Sequence, residues 1–204
     1  MEKKYDLLYN LYCCVNRGEK CKMKNKLIKK IVTDGILVAM FCVIGMFSIP
    51  FGDNVKVSLQ LLFVFIIGLA SFTDIIDCFA ITISYLLIGL VLPVYAGFNM
   101  GISPTFGYVI SFVFASALTK WLYKVFVDKL KMNAYVVSSI ACLISLVFVY
   151  IVGSIFFCIY LSWSKGLWNM LMLTVIPYLP FDILKIAMAI LLTSRLNKVN
   201  LKGE

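Results

Sequence analysis

The chain has 204 residues, 62% hydrophobic and 14% charged, where soluble domains carry roughly 45–50% and 25%; neither a water-soluble globule nor a disordered chain suits that balance. The net charge is +9, and nine of the nineteen Lys and Arg fall in residues 1–30. With no His and no G-x-x-x-x-G-K-[ST] loop, His-based catalysis, most zinc sites and P-loop ATP binding are excluded.

The first thirty residues form a basic tail. Its lysines suit anionic lipid headgroups and cytoplasmic anchoring better than nucleic acid. Leu7, Leu8, Leu11 and Tyr12 would make one apolar face of an interfacial helix. A bilayer-spanning helix needs about 20 residues, so the apolar content predicts six. The first runs from about Ile31 to Ile49 and stops at Pro50. A loop over Pro50–Lys56 leads to a second span, Val57 to Phe72. Asp74 and Asp77 break the apolar run, and the third span covers Ile75 to Val94. A Gly-rich loop, Ala96–Gly107, precedes the fourth, Tyr108 to Val127. The fifth runs from Ala134 to Leu161. Trp163 and Trp168 flank Lys165 as at a membrane–water boundary. Leu167 to Val175 is apolar but too short to span. The sixth helix, Phe181 to Arg195, reads as only about 14 residues, with the preceding half-segment dipping in beside it. The domain reading is a basic tail (1–30), a six-helix membrane domain (31–196) and a C-terminal tail (197–204).

Basic residues set the topology. The tail, the loop after the fourth span (Lys120, Lys124, Lys129, Lys131) and the C-terminus hold sixteen, and the opposite side has Lys56 and Lys165. The positive-inside rule then places both termini in the cytoplasm. The seven Cys contain no C-x-x-C and read as small core residues or reduced thiols rather than metal ligands. No metal or cofactor is expected.

A few polar groups need a reason. Asp182 and Lys185 lie three residues apart inside the last helix, hence on one face. Each would cost about 2.5–3.5 kcal/mol at mid-membrane. They are either a self-satisfied ion pair or a ligand clamp in which the carboxylate accepts N–H donors and the ammonium donates. The loops Pro50–Gln60 and Ala96–Gly107 are rich in turn residues, which is ordinary turn chemistry or a close backbone approach to a ligand; Gln60, Gly97 and Gly107 are the candidates there. Tyr85, Tyr95, Tyr108 and Tyr178 are interfacial aromatics or ligand contacts. Gly35 and Ala39 form a small-x-x-x-small pair that would admit another helix.

Four segments together resemble one family. Ser48, Ile49 and Pro50 followed by Val57, Ser58, Leu59 and Gln60 resemble S-I-P…V-T-L-Q. Leu92 to Gly97 resembles L-P-V-F-A-G, Pro104 to Tyr108 resembles P-T-G-G-Y, and Pro177 to Lys185 resembles P-F-L-P-G-D-L-L-K. These are the motifs of the BioY family, the biotin-binding S components of energy-coupling-factor (ECF) transporters, over residues 33–196. Phe106 and Phe181 stand where the family has Gly.

The resemblance implies an all-α bundle of six transmembrane helices, multi-pass in the cell membrane, and no enzymatic activity. It implies that Asp182 and Lys185 hold the ureido ring of biotin, with Gln60, Tyr85, Gly97, Gly107 and Tyr108 around it and the Pro50–Gln60 loop as a lid. Gly35 and Ala39 would contact the transmembrane coupling subunit, and two ATPase subunits would supply the energy. Three alternatives remain open: an S component for another small vitamin or heterocycle, an intramembrane enzyme, and an assembly factor without a ligand.

Overall fold

The structure is a computed structural model that describes residues 27–51, 55–130, 133–160 and 175–200. The basic tail up to residue 26, the flanking tryptophans and the apolar stretch before Val175 lie outside those residues. The chain divides into two units, Met1–Leu37 and Val38–Glu204. Six helices are present among the described residues. The first, α1, covers residues 27–46 and begins in the first unit, where Ile28, Ile31, Val32 and Ile36 are exposed and Thr33 Oγ1 donates to the Lys29 carbonyl.

In the second unit α1 ends and the chain forms a two-stranded antiparallel hairpin, β1 (Ser48–Phe51) and β2 (Val55–Ser58), with Ser48 opposite Ser58 and Ile49 opposite Val57. The expected loop is thus partly a β-ribbon. Four helices follow: α2 (Gln60–Leu69), α3 (Ile75–Val91), α4 (Phe106–Leu130) and α5 (Ala134–Tyr160). The last, α6, is Leu179–Asn200.

That final helix corrects the expectation of a short one. It runs 22 residues, because Pro180 sits in the first turn, where its missing N–H costs no helical hydrogen bond. At its far end, polar residues continue it past the apolar run, and Asn197 Oδ1 accepts from the backbone N–H of Ser71 at 2.9 Å. Asp74 and Asp77, which read as breaking an apolar run, instead start α3. The N–H of Asp74 donates to Asp77 Oδ2 at 2.7 Å, in a capping box.

Small residues bring the helices together. α4 and α5 run antiparallel, with Tyr108 opposite Ser154 near one end and Thr119 Oγ1 donating to Ser145 Oγ at 2.8 Å in the middle. Gly68 on α2 lies against α4 so closely that a Cβ there would sit 2.8 Å from Thr119 Cβ. Thr82 of α3 and Ser116 of α4 face each other at 3.4 Å. Phe41 of α1 stacks on Tyr85 of α3, with ring centroids 3.9 Å apart.

Lys120 also corrects the sequence analysis, which counted it among the basic residues of the loop after the fourth span. It is only 3% exposed, inside α4. Its ammonium donates to the carbonyl of Ala70, the C-cap residue of α2, and lies 3.5 Å from Thr73 Oγ1. The last carbonyls of a helix lack intrahelical partners and carry the negative end of its dipole, so a cation is well placed there.

Large apolar side chains also face outward. Ile83 and Leu87 on α3, Val147, Ile151 and Ile155 on α5, and Ile183, Leu184 and Leu191 on α6 are exposed. Among the described residues two helices, Phe106–Asp128 and Ala134–Tyr160, are long and apolar enough to cross a membrane.

Candidate functional site

The start of α6 places the charge pair. Asp182 lies in the first turn, its own N–H donating to the Tyr178 carbonyl at 2.9 Å. A carboxylate there is favoured by the positive end of the helix dipole. Three residues on, the Lys185 ammonium meets Asp182 Oδ1 at 2.5 Å. Asp182 is 4% exposed and Lys185 6%, so both groups are inside the protein and need partners there.

A third residue completes the group. Tyr150, half-buried on α5, donates its phenol to Asp182 Oδ2 at 2.5 Å. Each carboxylate oxygen therefore has one strong donor. A carboxylate accepts about four hydrogen bonds and an ammonium donates three, so the pair keeps capacity for a further polar group. Its net charge is zero, which favours an uncharged group offering donors and an acceptor side by side.

One turn beyond Tyr150 on the same face of α5, buried Ser154 lies 3.4 Å from the hydroxyl of Tyr108. Gly153 makes room for that tyrosine, since a Cβ there would run into the Tyr108 ring. Phe156 similarly fills the space beside Gly107, which is buried. The missing side chain at Gly107 is accounted for by this packing.

A second polar cluster forms around Tyr85. Gln60, the first residue of α2, donates Nε2 to the Tyr85 oxygen at 2.5 Å, and that hydroxyl donates to the Val94 carbonyl at 3.0 Å. Both side chains are buried. Tyr95 stands edge-on to Tyr85, centroids 5.7 Å apart, and donates to the Leu86 carbonyl at 2.7 Å. Burial pushes the Tyr95 phenol up to about 12, so it remains a donor at neutral pH. Phe106 and Phe156 extend the aromatic row from Tyr95 to α5. Gly97, in the loop after α3, has a φ of +75° and donates its N–H to the Met46 carbonyl at 3.2 Å, tying that loop to the end of α1.

The structure thus joins Asp182 to Lys185 and Gln60 to Tyr85, as two clusters. Tyr108 belongs to the α5 row that contains Tyr150, and Gly97 belongs to the loop beside Tyr95. Sequence reasoning missed Tyr150 and Ser154. Tyr150 sits in the run Val147-Phe148-Val149-Tyr150-Ile151, where it reads as one more core aromatic; only the i, i+4 spacing to Ser154 hints at a polar face.

A cavity of about 260 Å³ lies at the opposite end of these helices, lined by Leu69, Tyr123, Tyr135, Ser138, Thr193 and Asn197 among others. Asp182 and Lys185 are not part of its wall. No group of three or more metal-ligating side chains occurs among the described residues. Gly35 and Ala39 on α1 are both exposed, and a Cβ at Gly35 would meet nothing within 4 Å.

Comparison with known proteins agrees with the motifs. No curated protein matches the chain. A solved structure that does match is described as the S-component for biotin from an ECF-type ABC transporter; it is 23% identical, with a TM-score of 0.73 over 85% of this chain and 93% of that one. At that identity the likeness concerns the fold. The model of the BioY family matches residues 18–202. The chain belongs to the BioY family.

Proposed function

We propose that this chain is the biotin-binding membrane subunit of an ECF-type vitamin importer. The observation that carries the reading is the buried, charge-neutral Asp182–Lys185 pair in a chain of the BioY family. A cyclic urea has two N–H donors for a carboxylate and one oxygen for an ammonium, and charge-assisted bonds of this kind are the stronger sort. The match to an S-component for biotin supports the same ligand. Gln60 and Tyr85 would form a second polar wall, and the β1–β2 hairpin a cover.

On this reading all six helices lie in the cell membrane, with the apolar outer faces against lipid and both termini in the cytoplasm. Gly35 and Ala39 would receive the transmembrane coupling subunit. Two ATPase subunits would drive reorientation of the loaded chain, and release biotin inside. Gly35→Leu with Ala39→Leu is expected to spare biotin affinity and to weaken co-purification with the coupling subunit; intact co-purification counts against that surface.

The direct test is equilibrium binding of radiolabelled biotin to the purified chain. One biotin per chain is expected. Asp182→Asn should cost about 1.5–3 kcal/mol, the worth of a charged hydrogen bond, or roughly ten- to a hundredfold in Kd. Absence of binding by the unmodified chain overturns the reading.

A second reading is an S component for another small heterocycle. It rests on Phe106, whose ring lies 6.2 Å from Tyr95 and 6.1 Å from Phe156 and thickens the aromatic wall where the family motif has Gly. Competition by a panel of water-soluble vitamins separates the two.

A further inference from the structure

We infer that Tyr150 is the positioning residue of the clamp: its phenol holds the Asp182 carboxylate in the one orientation that presents it, with Lys185, to the N–H groups of a cyclic urea. The inference rests on the reading above and adds to it a residue from a different helix.

The geometry carries it. Asp182 and Lys185 share a helix, so their ion pair fixes neither relative to the rest of the bundle. A carboxylate on one Cβ rotates about two side-chain bonds, and a single contact at Oδ1 leaves the second oxygen unset. Tyr150 sets it, from α5, through a 2.5 Å hydrogen bond to Oδ2. The tyrosine is itself held by the packing of α5 against its neighbours, where Val149 and Gly153 are buried on either side. One turn along, the Ser154–Tyr108 contact links the same face of α5 to the start of α4. The orientation of the acid is thus referred to two helices other than its own.

The same geometry has a chemical consequence. Tyr150 donates to the carboxylate and so competes with nothing a urea N–H needs: two of about four acceptor positions stay open. It also supplies a donor where Lys185 does not reach, so the carboxylate remains satisfied in the empty protein. A ligand then adds to an aligned site instead of assembling it, and this preorganisation converts directly into affinity.

Kd values for biotin, and for biotin methylated on one ureido nitrogen, are measured on the full-length purified chain and on Tyr150→Phe, with thermal melting as the check of folding. Tyr150→Phe is expected to weaken biotin by about tenfold and to shrink the penalty for N-methylation, because a carboxylate free to rotate discriminates less. In an Asp182→Asn background the same substitution should add less than twofold. A second pair, Tyr150→Gln and Tyr150→Met, differs chiefly in a hydrogen-bond donor, and the Gln variant should bind biotin more tightly. Biotin affinity within twofold of the unmodified chain in Tyr150→Phe overturns the inference and leaves the function standing. Equal weakening of both ligands also overturns it, since a general loss of packing would do that. An unmodified chain that binds no biotin removes the function and this role together.

Discussion

Two lysines among the described residues are buried, and they are answered in different ways. Lys185 meets a carboxylate three residues away on its own helix. Lys120 reaches from α4 to the carbonyl end of α2, fifty residues away in sequence, and to the hydroxyl of Thr73. The first arrangement is local and makes a neutral polar group that Tyr150 joins to α5. The second bridges helices and completes a helix end. A buried charge in a membrane-type bundle is thus not by itself a sign of a ligand: what matters is whether its partner is the scaffold or another side chain that can share itself with a guest.

The largest effect expected from breaking this contrast is on stability. Lys185→Met leaves the Asp182 carboxylate buried with only neutral donors, and an uncompensated buried charge costs about 3–5 kcal/mol. Lys120→Met removes the charge itself and leaves the Ala70 carbonyl with the Thr73 hydroxyl, which still donates to it at 3.1 Å, so the loss should not exceed about 1–3 kcal/mol, the cost of an unpaired polar group. Thermal or denaturant unfolding in detergent should rank them in that order. A Lys120 variant that is the more damaged of the two would reverse the assignment of roles. The contrast sharpens when biotin affinity is measured on the same proteins: Lys120→Met should bind as the unmodified chain does, and a tenfold loss would bring the Ala70 end of α2 into the site. The smallest effect belongs to Lys124, whose 3.4 Å pair with Asp74 is half exposed. Lys124→Ala should change stability by at most about 1 kcal/mol, and by less as salt rises. A salt-independent loss of several kcal/mol would show that the pair is part of the Lys120 arrangement.

Much of this was visible in the chain itself. Apolar runs located all six helices because in such a sequence the interruptions, not the periodicity, carry the boundaries. Asp182 and Lys185 stood out because charges are rare in apolar helices and need partners. The β1–β2 hairpin was hidden by its size: strands of four residues each are too few to display an alternating pattern. Lys120 was misplaced because counting basic residues along a line cannot distinguish a lysine near a helix end from one turned inward. Tyr150 was invisible because its significance is set by a helix thirty-two residues further on.

Gly45 has an outcome of its own. A side chain there would begin 2.5 Å from the Tyr85 hydroxyl and 2.8 Å from the Val94 carbonyl, the donor and acceptor of the hydrogen bond that follows the one from Gln60. One added methyl group on α1 would therefore wedge apart the Gln60 cluster from behind while leaving the acid–lysine clamp unaltered. On the proposed reading the two clusters can then be disabled separately, and a ligand analogue trimmed at one end would reveal which cluster grips which end.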